Sequence, residues 1–393
     1  MSETADIVVI GGGIIGCSVV YHLSSLLPRS TRILLLDAGP IAGGTSGRCM
    51  GHLMVTPDSA REYELTKTSI RLWSELADEV SGFEHNPTGA LYLADSDEDV
   101  ELLSVLRRQF VENGDRADVL DPAQLRDIEP GLAEDIPGAL FYPGDGVLLP
   151  MAACREMLRA AIAKNPSIAV RPGCAATGFD RGDCRLSGVR TRDGTIACGA
   201  AVLATGVWTP EVAGMLGLPP LPIHPRGGDV AITAHHTTPV RKQILEVSYL
   251  RFAHGAAQAD PTKPGEDPGG HAVNLQPQTN GGCLIGSTRQ FRGMSLELNR
   301  ALLHRSLSRA RRYCPSLATA PIVRTWAGLR PYSIDKRPLI GAWPGLEGCH
   351  LAAGHEGLGV SLAQVTGLLV AQQIAGHRTA VDASPYDPGR FAA

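Results

Sequence analysis

The apolar residues at the start of the chain form two short unbroken runs with a longer apolar stretch between them. Ile7–Ile10 and Ile33–Leu36 contain no polar residue, which is typical of parallel strands buried on both faces. Ile14–Leu26 is mostly apolar and Pro28 follows it, so the pattern predicts a helix that ends before this proline. The chain is therefore predicted to begin with a strand, a helix and a second, parallel strand.

The turn between the first strand and the helix is rich in glycine. Gly11, Gly13 and Gly16 have the Gly-x-Gly-x-x-Gly spacing: the first permits a tight turn, the second lets a pyrophosphate approach, and the third lets helix and strand pack closely. Asp37 lies 21 residues beyond Gly16, where a carboxylate accepts hydrogen bonds from a ribose 2′-hydroxyl. This pattern serves NAD, NADP and FAD, and Ala38 follows where a 2′-phosphate would favour a basic residue.

Hydrophobic periodicity predicts further helices and strands along the chain. Helices are predicted over Ala60–Val80, Val100–Phe110, Met151–Lys164 and Leu296–Tyr313. A last helix is predicted to follow Ser361 and to end at about Gly376. Strands are predicted over Thr88–Ala94, Ala200–Gly206, Val230–Thr233, Gln243–Phe252, His271–Pro277, Cys283–Thr288 and Cys349–Ala353. Trp73 lies on the apolar face of its helix and is predicted to belong to the core.

Proline- and glycine-rich segments separate several of these elements. Pro219–Pro225 is dense in proline and predicts a linker. His254–Gly270 is a long loop, for which a lid and a disordered segment are equally good interpretations. Asn280-Gly281 predicts a hairpin between two strands.

Composition excludes several classes of function. The length of 393 residues allows two domains, and the net charge of −4 gives no electrostatic case for nucleic acid or an anionic membrane. The nine cysteines contain no Cys-x-x-Cys pair, so neither a metal site nor a dithiol redox site is expected. The N-terminus lacks a basic leader and no apolar run reaches about 18 residues. A cytoplasmic protein with reduced thiols is expected.

Two more segments rich in glycine follow other predicted strands. Ala42–His52 contains small hydroxyl residues, and Thr45 and Ser46 would clasp a phosphate or a ring system, although a plain surface loop fits equally well. Gly354–Ser361 lies between a strand and a helix, which places a helix N-terminus beside any bound ring.

Taken in order, five motifs resemble the FAD-dependent amine and amino-acid oxidoreductases of the D-amino-acid oxidase, glycine oxidase and sarcosine oxidase type. The similarity covers nearly the whole chain and is closest to the glycine oxidase branch. The motifs are Gly11–Gly16 with Asp37, Thr45-Ser46 through His52, Ala204-Thr-Gly206 with Trp208, Trp326-Ala-Gly-Leu-Arg-Pro331, and Gly354-His355 through Ser361.

The resemblance implies an α/β fold, with a Rossmann-like FAD-binding domain of the glutathione-reductase type and a mainly antiparallel β-sheet substrate domain that carries helices. The FAD-binding domain would comprise residues 1–88, 146–222 and 323–393, and the substrate domain residues 89–145 and 223–322. The implied cofactor contacts are Gly11, Gly13, Ile14, Ile15, Gly16, Asp37, Ala38, Thr45, Ser46, Met50, Gly51, His52, Ala175, Ala204, Gly206, Trp208, Gly328, Gly354, His355, Gly357, Leu358, Gly359, Val360 and Ser361.

Arg330 is the implied catalytic residue. A guanidinium pairs bidentately with a carboxylate, and the family uses the matching arginine to hold the substrate. The implied reaction is hydride transfer from the carbon beside the amine to flavin N5, which leaves an imine that hydrolyses. No side-chain base is required if the amine binds neutral. The alternative role of Arg330 is a structural ion pair. For His355, the alternative to a cofactor contact is a loop histidine whose hydrogen bonds are all made within the protein.

The chain departs from glycine oxidases at the implied substrate site, which includes His52 and Arg330. Asn274 stands where these relatives carry a tyrosine, and Gly357 where they carry a larger basic residue. A roomier pocket would favour a substrate larger than glycine, such as an N-substituted glycine or another secondary amino acid. Asn274 and Gln276 would hydrogen-bond such a substrate or serve the core. No cysteine stands near the arginine motif, where some relatives attach their flavin covalently, and Cys49 is the only other candidate near the implied ring. FAD is therefore expected to be non-covalent and released on denaturation.

Three functions compete at this point. The first is an oxidase of carboxylate-bearing amines that uses O₂ or another electron acceptor, as a monomer or as a homo-oligomer. The second is an FAD-binding dehydrogenase subunit that passes electrons to a partner protein. The third, an NAD-linked reductase or an aromatic monooxygenase, would require a second Gly-x-Gly-x-x-Gly motif, and the sequence has none.

Overall fold

The computed structural model describes residues 3–56, 59–235, 240–248, 261 and 265–392. Its helices are α1 Ile14–Leu26, α2 Ala60–Glu79, α3 Asp97–Glu112, α4 Pro122–Ile128, α5 Pro150–Lys164, α6 Thr209–Met215, α7 Arg300–Tyr313 and α8 Ala363–Ile374. Its strands are β1 Glu3–Thr4, β2 Ile7–Ile10, β3 Ile33–Leu36, β4 His52–Leu53, β5 Ala90–Leu93, β6 Asp118–Leu120, β7 Ala139–Tyr142, β8 Gly146–Val147, β9 Ile168–Arg171, β10 Ala176–Arg181, β11 Leu186–Thr191, β12 Gly194–Ala197, β13 Ala200–Leu203, β14 Ile223–Thr233, β15 Gln243–Glu246, β16 Gly265–Pro277, β17 Cys283–Phe291, β18 Ile322–Ser333, β19 Leu339–Ala342 and β20 Cys349–Ala353.

A six-stranded sheet carries the glycine-rich turn. Its strand order is β19-β20-β13-β2-β3-β9, and all neighbours are parallel except β19 and β20. β2 lies between β3 and β13, in a register that sets Ile10 beside Leu36 and Leu203. Because these three strands end together, the segments that follow them meet at one edge of the sheet, which is where ligands bind in open α/β sheets.

Both faces of this sheet are covered. Ile7 and Val9 of β2 belong to the core under α1, α5 and α8, and Val8 and Ile10 to the core on the opposite face. A four-stranded sheet, β1-β12-β11-β10, lies on that second side. All four residues of β2 are at most 5% exposed, which explains why the strand has no polar residue.

An eight-stranded sheet forms the second large layer. Its order is β18-β14-β17-β16-β15-β5-β7-β6, and all neighbours are antiparallel except β15 and β5. β14 and β18 pair along most of their length, with Arg226 opposite Arg330. The predicted fold class, a Rossmann-like sheet combined with a mainly antiparallel one, is confirmed. The predicted division of the chain into two domains stays a prediction.

Most predicted elements occur within a few residues of their predicted bounds, and Trp73 is fully buried as predicted. The prediction of a linker over Pro219–Pro225 is wrong in part, since β14 begins at Ile223. Pro225 lies opposite Pro331 where β14 pairs with β18. Because proline has no backbone N–H, the hydrogen bonds that both residues cannot donate are lost at the same position of the sheet.

Two further predictions concern segments that lie partly outside the described residues. The long loop over 254–270 lies mostly outside the described residues, and its last part is wrong because β16 begins at Gly265. The strand predicted over 243–252 is observed as Gln243–Glu246, and residues 249–252 lie outside the described ranges. Among the described helices, none combines the length and the apolar character that crossing a bilayer demands.

The buried carboxyl group of Asp145 is expected to make the free energy of unfolding depend on pH. It is 1% exposed, its Oδ2 accepts a hydrogen bond from the Tyr92 hydroxyl (2.9 Å) and its Oδ1 from Val55 N (2.9 Å). Burial outweighs these bonds and raises the pKa of Asp145 to about 7. Because the unfolded pKa is about 3.9, the group's contribution is fully present below pH 4 and is lost as the pH rises to 7.

We therefore expect Asp145→Asn to flatten the pH dependence of the free energy of unfolding between pH 4 and pH 8, by up to about 4 kcal/mol. Urea unfolding at several pH values measures this. Asp127→Asn, at an exposed position, is the control and should follow the wild type. Parallel curves for wild type and Asp145→Asn would contradict the prediction.

Candidate active site

The turn between β2 and α1 has room only for glycine at two positions. Gly11 has a φ of +107°, and a Cβ there would lie 2.4 Å from the carbonyl oxygen of Ala204. A Cβ on Gly16 would lie 1.9 Å from the carbonyl oxygen of Gly11. Both approaches bring the start of α1 against β2 and β13, as a dinucleotide-binding turn requires.

Asp37 lies beside this turn. Its Oδ2 accepts a hydrogen bond from Gly12 N and its Oδ1 from Gly39 N, both at 2.7 Å. Its backbone carbonyl accepts from Cys174 N at 2.7 Å, which brings the exposed Ala175 close to it. The carboxylate thus stabilises the turn from the position predicted for the ribose contact, and the contacts of Asp37 and Ala175 with a nucleotide stay predictions.

The segment around Ser46 is held against the start of α1. The Ser46 hydroxyl accepts a hydrogen bond from Ile14 N at 2.9 Å, and Trp208, 44% exposed, lies 3.5 Å from where a Cβ on Gly44 would be. The structure therefore brings together, at the ends of β2, β3 and β13, the predicted residues Gly11, Gly13, Ile14, Ile15, Gly16, Asp37, Ala38, Ser46, Ala204, Gly206 and Trp208.

A separate cavity of about 550 Å³ lies between the six-stranded and eight-stranded sheets. One wall consists of two chain segments, 48–52 and 355–360. The other wall is the eight-stranded sheet, where every second residue of a strand points to the same face. The predicted residues that line this cavity are Thr45, Met50, Gly51, His52, Asn274, Gly328, Arg330, His355, Gly357, Leu358 and Val360.

Hydrogen bonds join the segment around Thr45 to β18. Thr45 Oγ1 donates to the carbonyl oxygen of Leu329 at 2.7 Å, and Arg48 Nη1 donates to that of Ala327 at 3.2 Å. In return, Trp326 Nε1 donates to the carbonyl oxygen of Arg48 at 2.9 Å. The Trp326–Pro331 motif is therefore part of a strand that holds the wall of the cavity in place.

The loop after β20 is fixed from behind by core residues. Gly354 has a φ of +78°, and His355 Nε2 lies 2.9 Å from Thr366 Oγ1. Burial lowers the pKa of His355 to about 3, so its ring is neutral. Trp73 Nε1 donates to the carbonyl oxygen of Val360 at 2.9 Å, and Ser361 Oγ donates to that of His52 at 3.2 Å.

His52 is half-buried in the cavity wall. Burial, with a smaller effect of the nearby Arg330, lowers the pKa of His52 to about 4, so the ring is neutral near pH 7. Within the described ranges its buried Nε2 has no hydrogen-bond partner. A buried polar atom of this kind is normally satisfied by a ligand or by water.

Arg330 lies at the inner end of the cavity. Nη2 donates to Ser287 Oγ at 2.6 Å, and Nη1 donates to the carbonyl oxygens of Thr288 at 3.2 Å and Gly227 at 3.5 Å. A Cβ on Gly228 would lie 2.4 Å from Nη1, so this glycine makes room for the guanidinium. Burial lowers the pKa of Arg330, yet an arginine remains charged at any physiological pH.

Arg226, Arg289 and Glu356 line the same cavity close to Arg330. Arg226 forms an ion pair with Glu356 at 2.9 Å and lies 5.6 and 5.2 Å from the ring centres of Phe291 and Tyr332. Arg289 is 5% exposed. Burial alone would raise the pKa of Glu356, but Arg226, Arg289 and Arg330 outweigh it and bring that pKa to about 2.

The sequence-based reasoning missed Arg226, Arg289 and the charge of Glu356. Arg226 lies just after the segment predicted as a linker, and Arg289 follows the end predicted for its strand. The alternation Ser287, Arg289, Phe291 was the available signal, because alternate residues of a strand share a face. Their proximity to Arg330 depends on the pairing of β14 with both β17 and β18.

Asn274 and Gln276 occupy two different cavities. Asn274 is 7% exposed and lines the cavity of Arg330, and Gln276, 2% exposed, lines a second cavity of about 440 Å³ beside Trp326. Asn274 Oδ1 and Gln276 Oε1 are buried without a hydrogen-bond partner among the described residues. The structure thus leaves Asn274 available to a ligand beside Arg330.

The residues present fit a flavin dinucleotide. The glycine turn leaves room for a pyrophosphate at the start of α1. The cavity beside it contains the Arg330 guanidinium and a neutral His52, whose Nε2 has no hydrogen-bond partner in the described part of the chain. A dinucleotide-binding turn beside a cavity lined by polar groups is typical of dinucleotide-dependent oxidoreductases.

The chain belongs to the FAD-dependent oxidoreductase family, whose model (DAO) matches residues 6–373. It is 27% identical to hydrogen cyanide synthase subunit HcnC of Pseudomonas aeruginosa, over 100% of this chain and 97% of that protein. It is 28% identical to glycine oxidase of Pseudomonas putida, over 98% of each. Its fold matches the crystal structure of glycine oxidase from Geobacillus kaustophilus with a TM-score of 0.86 at 23% identity, over 100% of this chain and 100% of that chain. The family resemblance and FAD as cofactor are thus confirmed, and the protein is an FAD-dependent oxidoreductase.

Proposed function

We propose that this protein oxidises the C–N bond of an amine that carries a carboxylate, a secondary amino acid such as an N-substituted glycine. The observation that carries the proposal is Arg330, whose buried guanidinium lies in the cavity with hydrogen bonds that end on uncharged oxygens. Among the described residues no carboxylate forms an ion pair with this guanidinium. Such a charge is costly to bury without a counter-ion, and a substrate carboxylate would supply one.

In this proposal Arg330 orients the substrate by pairing with its carboxylate. FAD, when bound, supplies the acceptor for the two electrons of the Cα–H bond. The amine proton passes to solvent as the C=N bond forms, and water then adds to the imine and releases an amine and an oxo acid. His52 and His355 are neutral near pH 7, and the arginine cluster disfavours a protonated amine. A neutral bound amine needs no side-chain base.

The space around Arg330 supports a substrate larger than glycine. A Cβ on Gly357 would lie 3.9 Å from Arg330 Cδ, so a larger side chain at this position would extend into the cavity. Asn274 lines the same space with a free Oδ1 among the described residues. We propose that Asn274 binds the N-substituent or the amine, and that Gly357 makes room for it.

We further propose that FAD is held without a covalent bond. Cys49 lies in the cavity wall, and burial, reinforced by the nearby Cys154, raises the pKa of its thiol to about 12. The thiolate is the form that reacts, so this thiol is unreactive at neutral pH.

An anaerobic screen of amines tests the proposed reaction. The purified yellow protein is mixed with glycine, sarcosine, other N-alkyl glycines, D- and L-proline and matching amines without a carboxylate, and the bleaching of the flavin absorption is followed. We expect bleaching with N-substituted glycines, and none with the amines that lack a carboxylate. Equal reduction by an acid and its decarboxylated analogue would overturn the carboxylate requirement.

A second function is favoured by the similarity to HcnC, which is named as a subunit of hydrogen cyanide synthase. In this alternative the chain is the FAD-binding subunit of a larger dehydrogenase and passes electrons to a partner protein. Stopped-flow reoxidation distinguishes the two: an oxidase is reoxidised by O₂ within its turnover time, whereas a dehydrogenase subunit needs an artificial electron acceptor.

A further inference from the structure

The sheet wall of the cavity changes in chemical character from strand to strand. In the sheet order, β18, β14 and β17 each contribute an arginine to this wall, β16 contributes an amide, and β15 and β5 contribute large side chains of the core. In that order these residues are Arg330, Arg226, Arg289, Asn274, Leu245 and Tyr92. Among the described residues, the wall is therefore charged on one side of Asn274 and largely apolar on the other.

Asn274, Leu245 and Tyr92 form one row across the sheet. Leu245 pairs with Asn274 on one side and with Tyr92 on the other, and side chains of residues paired in this way lie on the same face. Neighbouring strands lie about 4.8 Å apart, so Tyr92 is about 10 Å from Asn274 along this row. The cavity wall therefore continues past Asn274 by the length of several carbon atoms.

The far end of this row belongs to one apolar core. Leu245 and Tyr92 share a core cluster with Val55 and Leu106, and all four line the cavity although each is at most 3% exposed. The Tyr92 hydroxyl donates to Asp145 Oδ2 at 2.9 Å, so this polar group already has a partner within the protein. Val55, Tyr92, Leu106 and Leu245 form the apolar end of the cavity.

The charged side chains of the described cavity wall come from other segments. They are Arg48, Arg61, Glu62, Arg226, Arg289, Arg330, Asp335, Lys336, Arg337 and Glu356. None of them lies on β5, α3 or β15, which carry Tyr92, Leu106 and Leu245. A charged group placed at the apolar end would therefore lack a partner on these elements among the described lining residues, and burying such a group is costly.

Asn274 lies between the guanidinium of Arg330 and the apolar end. Arg330 Nη2 donates to Ser287 Oγ, and Ser287 follows Gly286, which pairs with Asn274. Asn274 Oδ1 has no hydrogen-bond partner in the described part of the chain, and an amide oxygen accepts the N–H of a secondary amine. The wall thus offers a cation, an acceptor and an apolar surface, in the order of the carboxylate, the nitrogen and the N-substituent of an N-alkyl glycine.

Resting on the proposed function, we propose that the substrate is a glycine whose nitrogen carries an apolar group of several carbon atoms, and that this group lies against Leu245 and Tyr92. Burial of apolar surface favours this arrangement more with every methylene that is added. The two electrons of the glycine Cα–H bond pass to FAD, and the amine proton passes to solvent as the C=N bond forms. Water then adds to the imine, which releases the apolar primary amine and a two-carbon oxo acid.

A series of N-alkyl glycines tests the apolar end on the FAD-loaded protein. Sarcosine and the N-ethyl to N-hexyl glycines are compared by anaerobic flavin reduction, together with N-(2-methoxyethyl)glycine and iminodiacetate, whose substituents are polar and charged. We expect kcat/KM to rise by about fourfold for each methylene up to N-butylglycine. The polar and the charged substrate should each lie at least about tenfold below N-butylglycine.

Leu106→Ala and Leu103→Ala form a matched pair of variants. Both leucines are buried on α3 in the same core cluster, but of the two only Leu106 lines the cavity. Both variants should lose similar stability, because each leaves a space of the same size in the core. Leu106→Ala should lengthen the N-alkyl chain with the highest kcat/KM by at least one carbon, and Leu103→Ala should leave it as in the wild type.

Binding of simple carboxylates separates this proposal from the proposed function. Acetate, butyrate, hexanoate and glutarate are titrated into the wild-type protein, and the shift of the flavin spectrum gives each Kd. We expect Kd to fall by at least about tenfold from acetate to hexanoate, and glutarate to bind more weakly than hexanoate. If no amine reduces the flavin, the proposed function fails, and this titration still decides the apolar end. It uses the wild type, so it holds even if neither leucine variant folds.

Three results would argue against the apolar end. The first is a wild-type preference for sarcosine or iminodiacetate over N-butylglycine. The second is a Kd that does not fall as the carboxylate lengthens. The third is a preferred chain length that Leu106→Ala leaves unchanged, or that Leu103→Ala shifts by the same amount.

Discussion

Replacing Arg330 with alanine is expected to lower kcat/KM for the amine substrate by about 1,000-fold, which corresponds to about 4 kcal/mol. The variant removes a buried guanidinium from the carboxylate of the substrate. FAD should stay bound, because the hydrogen bonds of Arg330 end on Gly227, Ser287 and Thr288 of the eight-stranded sheet and not on the glycine turn. Anaerobic flavin reduction at several substrate concentrations measures the first effect, and the ratio of flavin to protein absorbance measures the second.

Two controls accompany this variant. Arg330→Lys keeps the charge but loses the planar fork of donors, so its kcat/KM should lie between those of the wild type and Arg330→Ala. Arg324→Ala removes an exposed arginine of the same strand and should resemble the wild type. Normal turnover by Arg330→Ala would leave this residue only a structural role.

Replacing Gly16 with alanine should abolish FAD binding and lower the free energy of unfolding by roughly 3 kcal/mol or more. The added Cβ would lie 1.9 Å from the carbonyl oxygen of Gly11 and 3.4 Å from Ala204 Cβ. Helix α1 has little freedom to move aside, because its buried residues share one core with α5 and α8. Urea unfolding and the flavin content of the purified variant measure the two effects.

Gly214→Ala is the matched control for this change. Gly214 lies in α6, and a Cβ there would meet no atom within 4 Å. Alanine is favoured over glycine in a helix by about 1 kcal/mol, so this variant should keep its FAD and be as stable as the wild type or slightly more so. A Gly16→Ala protein that retains stoichiometric FAD would show that the turn tolerates a side chain.

The first turn and its strands were predictable from sequence because their causes are local. Buried parallel strands exclude polar residues, and the close approaches at Gly11 and Gly16 exclude a Cβ. Asp37 ends a strand that pairs directly with β2, so its distance along the chain places it beside the turn. The segment that holds Arg330 was identified from its sequence motif, but neither the length of its strand nor the strands it pairs with could be predicted.

The charge around Arg330 could not be predicted in this way. Arg226, Arg289 and Glu356 come from a predicted linker's edge, a strand end and a glycine-rich loop, and no spacing connects them. They meet because β14 pairs with both β17 and β18 and because the loop after β20 packs on that sheet. Register decides which face a side chain takes, and a shift of one residue would turn Arg289 away from the cavity.

The sequence by itself determined the glycine turn that is predicted to hold the dinucleotide and the arginine motif near the end of the chain, since both depend on residue types at short spacing. Only the tertiary structure decided that Arg226, Arg289 and Glu356 line the cavity of Arg330. The charge of a buried cavity depends on residues that are far apart in the chain. Strand pairing, which is not local, decides which of these residues line the cavity.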